Sequence, residues 1–484
     1  MPIVSRLSSK HFRLPATRPA ILIGIMAGFA IRLHRLGAES LWYDETVSAY
    51  LAGQPIPDLI AHTARDIHPP AYYILLHAWR SLADPPIGRG FEFLLAFPSL
   101  WFGVLSLSLL VPLARMLVGE QGAAPALWLA AISPFLVWYS QEERMYMVAA
   151  ALGLVCLYAA IKFFTPSDLE AENYPPITHS SWRWLGLYIL SAAASLYTLY
   201  YAAFALIAIN LAAFVAASTH RPVSSVSSRL KVWFVGQFAV LLLFLPWLPC
   251  AIRQVVEPPV PAWRARWPNL SSATTDLAQS LAALLVGQSV PSSHVWAWAI
   301  VVGLLVAAYY RYAKSDGLYA PHAAVWLTSY LFVPLAVIVL ISVIVTPIFH
   351  VRYLAIYAPA FSLIAAGALL YIHKHNTTLA VLAACIVAIG SLYSVTRFWT
   401  HPDYRADDHR GAVQRLAAAW RPGDVSLVNA GWVYTAVDTY WPRDLDGPDA
   451  ALPAPLTERI RLPDASQAQG AAGVVPLLVT GSID

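Results

Sequence analysis

Eleven stretches of this 484-residue chain are apolar enough to be read as membrane spans, and a dense run of charge separates the first two. A spanning helix needs about 20 apolar residues, because the hydrocarbon core is about 30 Å thick and a helix rises about 1.5 Å per residue. The expected spans are residues 19–36, 92–117, 123–139, 145–164, 184–197, 201–217, 232–250, 295–312, 323–346, 353–372 and 378–396. Composition agrees, with 58% of residues hydrophobic and 12% charged, against about 25% charged in soluble domains. The expected fold class is an all-α polytopic membrane protein. Residues 69–82 are apolar but number only fourteen. They are read as one of the amphipathic helices of a first external loop, 37–91, and not as a span.

Loop charge sets the orientation. Arg6, Lys10, Arg13 and Arg18 precede the first span, and no small-residue cleavage site follows it. The expectation is a retained span with its basic end in the cytoplasm. Arg115, Arg221, Arg229, Lys231, Arg311, Lys314 and Lys374 then all fall in cytoplasmic loops, as the positive-inside rule asks. Counting 69–82 as a span would put them outside. The loop 165–183 is acidic, but acids contribute little to this bias.

With that parity, the opposite face collects the remaining polar residues: Asp44, Glu45, Asp66 and His68 from the first loop, then Gln141 through Arg144, then Arg253, Arg264, Arg266, His350 and Arg352. A carboxylate at the bilayer centre costs roughly 3 kcal/mol. An acidic pair beside a span is therefore expected in a cavity at the membrane–water boundary, where carboxylates can do chemistry. The chain reads as a membrane enzyme. Basic residues on the external side point to an anionic ligand, with interfacial snorkelling as the plainer alternative.

Residues 1–397 are read as the membrane domain. Residues 398–484, richer in charge, Pro and Gly, are read as a small extracytoplasmic α/β domain leaning on it, with a helix at 411–420 and strands at 425–429 and 474–480. Cys156, Cys250 and Cys385 lie in apolar runs and are expected to be small buried hydrophobes. A net charge of +4 scattered over loops gives no footprint for nucleic acid. The chain has no Walker loop, Gly-rich dinucleotide turn or Cys/His ligand spacing. Nothing in it points to ATP-driven transport.

Four short motifs stand in order: Leu41-Trp42-Tyr43-Asp44-Glu45; His68-Pro69-Pro70-Ala71-Tyr72-Tyr73; Ser133-Pro134 with Tyr139-Ser140-Gln141-Glu142-Glu143-Arg144-Met145-Tyr146; and Arg352-Tyr353. Together they resemble the bacterial relatives of the dolichyl-phosphate-mannose protein mannosyltransferases, which are C-type integral-membrane glycosyltransferases. The resemblance covers about the first 400 residues, and 404–411 with Pro422-Gly423-Asp424 is similar to the family's external extension. One departure is Leu95-Ala96-Phe97-Pro98-Ser99, where relatives commonly carry an Arg before the Pro-Ser pair; Arg89 is the nearest substitute.

The resemblance implies transfer of a sugar from a polyprenyl-phosphate donor to an acceptor protein, glycolipid or glycan, with inversion, on the extracytoplasmic side of the plasma membrane. It implies Asp44 as general base and Glu45 as its partner, orienting the acceptor, sharing a cation or tuning Asp44. For Asp44 the alternative is a helix cap near Thr46. Arg352 is expected to bind the donor phosphate, with His350, His68, Arg264 and Arg266 as auxiliaries. Asp66, Glu143 and Arg144 are supporting residues; a local ion-pair network at a span end is the alternative for Glu142, Glu143 and Arg144. Tyr139, Tyr146, Tyr197, Tyr200 and Tyr201 are read as interfacial belt aromatics. No cofactor is required, since arginines can hold a phosphate, but Asp44 and Asp66 leave room for a divalent metal. The rival of another class is a transporter or flippase of lipid-linked sugars. Transporters place charge at the midplane between mirrored halves, whereas here the acids sit in a loop and the halves do not mirror.

Overall fold

A computed structural model describes residues 17–83, 90–165, 179–218, 223–258, 266–314, 322–421 and 433–442. All regular structure among the described residues is helical. The first span, α1 (Thr17–Leu33), is followed by three short helices, α2 (Tyr43–Gly53), α3 (Ile56–Arg65) and α4 (Ala71–Ala83). Then come α5 (Phe91–Leu117), α6 (Ala123–Ala131), α7 (Pro134–Gln141), α8 (Tyr146–Phe164), α9 (His179–Thr198) and α10 (Ala202–Ser218). The second half holds α11 (Val223–Phe244), α12 (Leu248–Val256), α13 (Leu270–Val286), α14 (Val295–Lys314), α15 (Ala323–Ile344), α16 (Ala358–His375) and α17 (Thr377–Thr400), before the tail helices α18 (His409–Ala419) and α19 (Tyr434–Tyr440).

All eleven expected stretches are helical. Five of these helices are long and apolar enough to cross a membrane on their own, and counting two bent pairs as single spans gives seven. The pairs are α6–α7, bent by 56°, and α11–α12, bent by 79°. The first bend follows from Pro134, which cannot continue the amide ladder, and from Ser133, whose hydroxyl caps α7 by accepting from the Leu136 amide at 3.4 Å. The other four, α1, α9, α10 and α16, fall short of the same standard of length or apolarity. Helix α13 was not expected, and the expected tail helix at 411–420 is α18, displaced by two residues or fewer. The expected strands at 425–429 and 474–480 lie outside the described residues.

Helix α8 runs inside the bundle, with 78% of its apolar segment buried, while α14, at 22%, lies on the rim. Phe234, Phe238, Leu304 and Ile389 project outward and are more than half exposed, an apolar surface suited to lipid. Cys156 is buried as expected, but Cys385 is exposed among those outward side chains and Cys250 is half-buried. Tyr139 and Tyr146 are not belt residues: both are buried, with ring centroids 5.0 Å apart.

Candidate active site

The chain leaves α1 through a turn that only glycine can make. Gly37 has φ +66°, and a Cβ there would lie 2.2 Å from the Phe93 amide nitrogen at the start of α5. That close approach lays 38–42 across the top of α5 and delivers Trp42 to the start of α2. Asp44 is thus in the first turn of a helix, where the dipole favours a carboxylate. It does not cap that helix. The cap is Glu45, whose Oε2 accepts the Trp42 amide at 3.1 Å.

Two arginines meet on Asp44. Arg352 Nη1 lies 3.3 Å from Asp44 Oδ2, and Arg144 Nη2 lies 3.8 Å from the same oxygen. Arg352 is held in place on two further sides. Its Nε donates to His350 Nδ1 at 3.3 Å, and its guanidinium lies over the Trp42 ring, 5.5 Å from the centroid. Tyr353 beside it stacks on Tyr201 at 3.7 Å. Arg144 is buried and reaches back across 100 positions to the Asp44 carbonyl at 3.1 Å. Its Nη2 also donates to His68 Nε2 at 3.0 Å. Burial, and then the neighbouring Arg144 and Arg352, hold His68 well below the usual histidine range. Arg144 can only donate, so His68 Nε2 is the acceptor of that bond. Arg144 is likewise not part of a local network: its ion pair among the described residues is with Asp44.

Glu45 accepts a second amide, that of Glu143, at 3.0 Å. Burial pushes its carboxyl up to about 8, the nearby Glu142 adding to the effect, while the two amides and Arg144 pull the other way. Both oxygens are thus committed to backbone, so Glu45 ties α2 to the 142–145 turn. Glu143 is buried, and its Oε2 has no hydrogen-bond partner among the described residues. Burial, then Glu45 and Glu92, raise its carboxyl well above the usual range. Glu142, which stayed outside the expected site, receives the Trp138 indole N–H at 2.6 Å. Burial raises it to about 7 against the opposing pull of Arg352 and that indole.

A cavity of about 400 Å³ opens here, bordered by Trp42, Glu142, Glu143, His350 and Arg352 and by tail residues Phe398, Trp399 and Asp403–Asp407. Asp44 does not border it but is joined to it through Arg352. The tail is fastened to the first loop at several points. Glu92, buried, takes Arg410 at 2.8 Å and the Tyr440 hydroxyl at 3.0 Å, and that same hydroxyl receives the Leu41 amide at 2.8 Å. The Thr46 and Thr435 hydroxyls meet at 2.9 Å. Helix α2 is therefore clasped from the far end of the chain.

Of the other expected residues, Asp66 is half-buried, and burial raises its carboxyl despite nearby Arg144. Arg266 donates to the Val345 carbonyl at 2.7 Å, and Arg253 to the Ala64 carbonyl, so neither is turned to Asp44. Arg264 and Arg89 lie outside the described residues. Among the described residues, no three His, Cys, Asp or Glu side chains form a group able to hold a metal ion, and nothing completes a metal site around Asp44 and Asp66.

No protein-family model and no curated protein matches the chain. Solved structures do. ArnT from Cupriavidus metallidurans in the apo state matches over 88% of this chain and 84% of its own, with 13% identity and a TM-score of 0.57. The same protein bound to undecaprenyl phosphate matches over 87% and 84%, with 12% identity and a TM-score of 0.55. The oligosaccharyltransferase AglB from Archaeoglobus fulgidus, in complex with an inhibitory peptide and a dolichol-phosphate, matches over 85% of this chain with 13% identity and a TM-score of 0.54. This chain spans 59% of AglB's length. Identities this low speak to the fold alone. The chain is a multi-pass membrane protein that shares its fold with ArnT and AglB.

Proposed function

We propose that the protein is a glycosyltransferase that moves a sugar from a polyprenyl-phosphate donor to an acceptor on the extracytoplasmic side of the plasma membrane. The observation that carries this reading is the Asp44 carboxylate held between Arg352 and Arg144. That pairing joins a proton acceptor to phosphate-binding cations, and it occurs in a fold whose solved examples include one bound to undecaprenyl phosphate and one to dolichol-phosphate.

The chemistry is an in-line displacement. The acceptor oxygen or nitrogen attacks the anomeric carbon, the bond from that carbon to the phosphate oxygen breaks, and the acceptor proton passes to Asp44. Charge builds on the departing lipid phosphate, where a preorganised guanidinium is worth most. Arg352 is the group that meets it, and His350 and Trp42 orient that guanidinium. An arginine drawn to the phosphate leaves its partner carboxylate, so donor binding frees Asp44 to act as a base. Arg144, kept by His68 and the Asp44 carbonyl, remains as the fixed counter-charge.

The test is transfer of label from a radiolabelled polyprenyl-phosphate sugar in vesicles containing the full chain. Wild type is expected to transfer and Asp44→Asn, at equal abundance, to lose transfer. Full activity in Asp44→Asn would remove Asp44 as the base.

A further inference from the structure

The cavity beneath the tail has a wall of a particular chemistry. Trp138 stacks on Phe398 with ring centroids 4.4 Å apart and planes 20° apart, and Tyr404 meets the same indole edge-on at 5.8 Å. The indole N–H of that stack holds Glu142, and beside it lies Glu143, whose buried Oε2 has no partner among the described residues. Aromatic rings and carboxylates thus border one partly open space of about 400 Å³, within the usual size for a small-molecule site.

Resting on the glycosyltransferase reading above, we propose that this cavity is the acceptor subsite and that it takes a neutral or amine-bearing sugar, the terminal residue of a glycan or glycolipid, with Glu142 holding a hydroxyl of that sugar other than the one that reacts at the Arg352–Asp44 edge. A sugar ring offers an apolar C–H face to an aromatic wall and a rim of O–H donors to carboxylates, which accept only when ionised and can both donate and accept when protonated. A peptide is a poorer match, because it brings backbone carbonyls that need donors where carboxylates border the space. Leaving Glu142 and Glu143 aside, the carboxylates of Glu39, Glu92, Asp403 and Asp407 still outnumber the bordering Arg35, Arg352 and Arg405. An acidic sugar is repelled, and the donor phosphate is confined to the Arg352 edge.

The test is binding without donor, measured by tryptophan fluorescence and saturation-transfer NMR on the full chain in nanodiscs. Methyl glycosides of a neutral hexose and of an amino sugar are expected to bind at millimolar concentration. The methyl glycoside of a uronic acid should bind at least tenfold more weakly, as should the neutral glycoside to Glu142→Gln or Tyr404→Ala. Using both variants guards against misfolding of either. Equal binding of the uronate, or unchanged binding in both folded variants, overturns the proposal. So does displacement of the hexoside by a Ser/Thr peptide, which makes the site a peptide site. A free oligosaccharide and a glycolipid ending in the same sugar separate the two sources by their relative affinity. Glycoside binding with no transfer from any polyprenyl-phosphate sugar keeps this subsite and sinks the transferase reading; transfer to peptide without glycoside binding does the reverse.

Discussion

Asp44 and Arg352 stand 308 positions apart in sequence and 3.3 Å apart in space. The first loop and the mouth of a late span therefore build one centre, and each half is incomplete without the other.

Asp44→Asn is expected to lower transfer by about 100-fold or more, the range for loss of a general base. Initial rates at saturating donor and acceptor, set against membrane abundance of the variant, check this.

Arg352→Ala should weaken donor use more than acceptor use, and Arg352→Lys should restore only part of it, because an ammonium lacks the planar fork. Separate Michaelis constants for donor and acceptor read this. An unchanged donor constant together with an unchanged maximal rate would exclude a phosphate role.

Glu45→Ala is expected to act on stability before chemistry, costing about 1–2 kcal/mol as a lost cap. Its folded carboxyl titrates near 8, above an ordinary value of 4.5. The folded state therefore holds a proton that the unfolded chain has released, and stability falls as pH rises from about 5 to 8. Glu45→Gln, which is neutral throughout, should flatten that slope in thermal melts across this window. An equally steep slope in the variant would assign the effect elsewhere.

Tyr440→Phe removes one hydroxyl that serves both the Leu41 amide and Glu92. The expected cost is about 1–3 kcal/mol, because a buried amide and a buried carboxylate each lose a partner. Thermal denaturation of the purified protein measures it.

The bundle was legible because lipid imposes length and apolarity on each span, and that demand is written locally. Helix α13 escaped because its sequence carries Thr274, Thr275, Asp276 and Gln279, which no hydrophobic run betrays. Asp44 stood out as charge between apolar segments. The capping role went instead to Glu45, whose second partner, the Glu143 amide, lies 98 positions away. The acceptor role of His68 Nε2 was not legible, because its partner Arg144 lies 76 positions away. Glu142 was obscured by Glu143 and Arg144, since adjacent opposite charges read as a local pair. The sequence signal for it is Trp138, four positions earlier on α7 and able to reach it.

The clasp of α19 on α2 also has a meaning in time. Helix α2 leaves the ribosome within the first few dozen residues, whereas Thr435 and Tyr440 emerge only after every span has been made. A nascent chain therefore inserts almost whole before α2 gains these partners, and a product stopped before Thr435 is membrane-embedded but lacks the clasp.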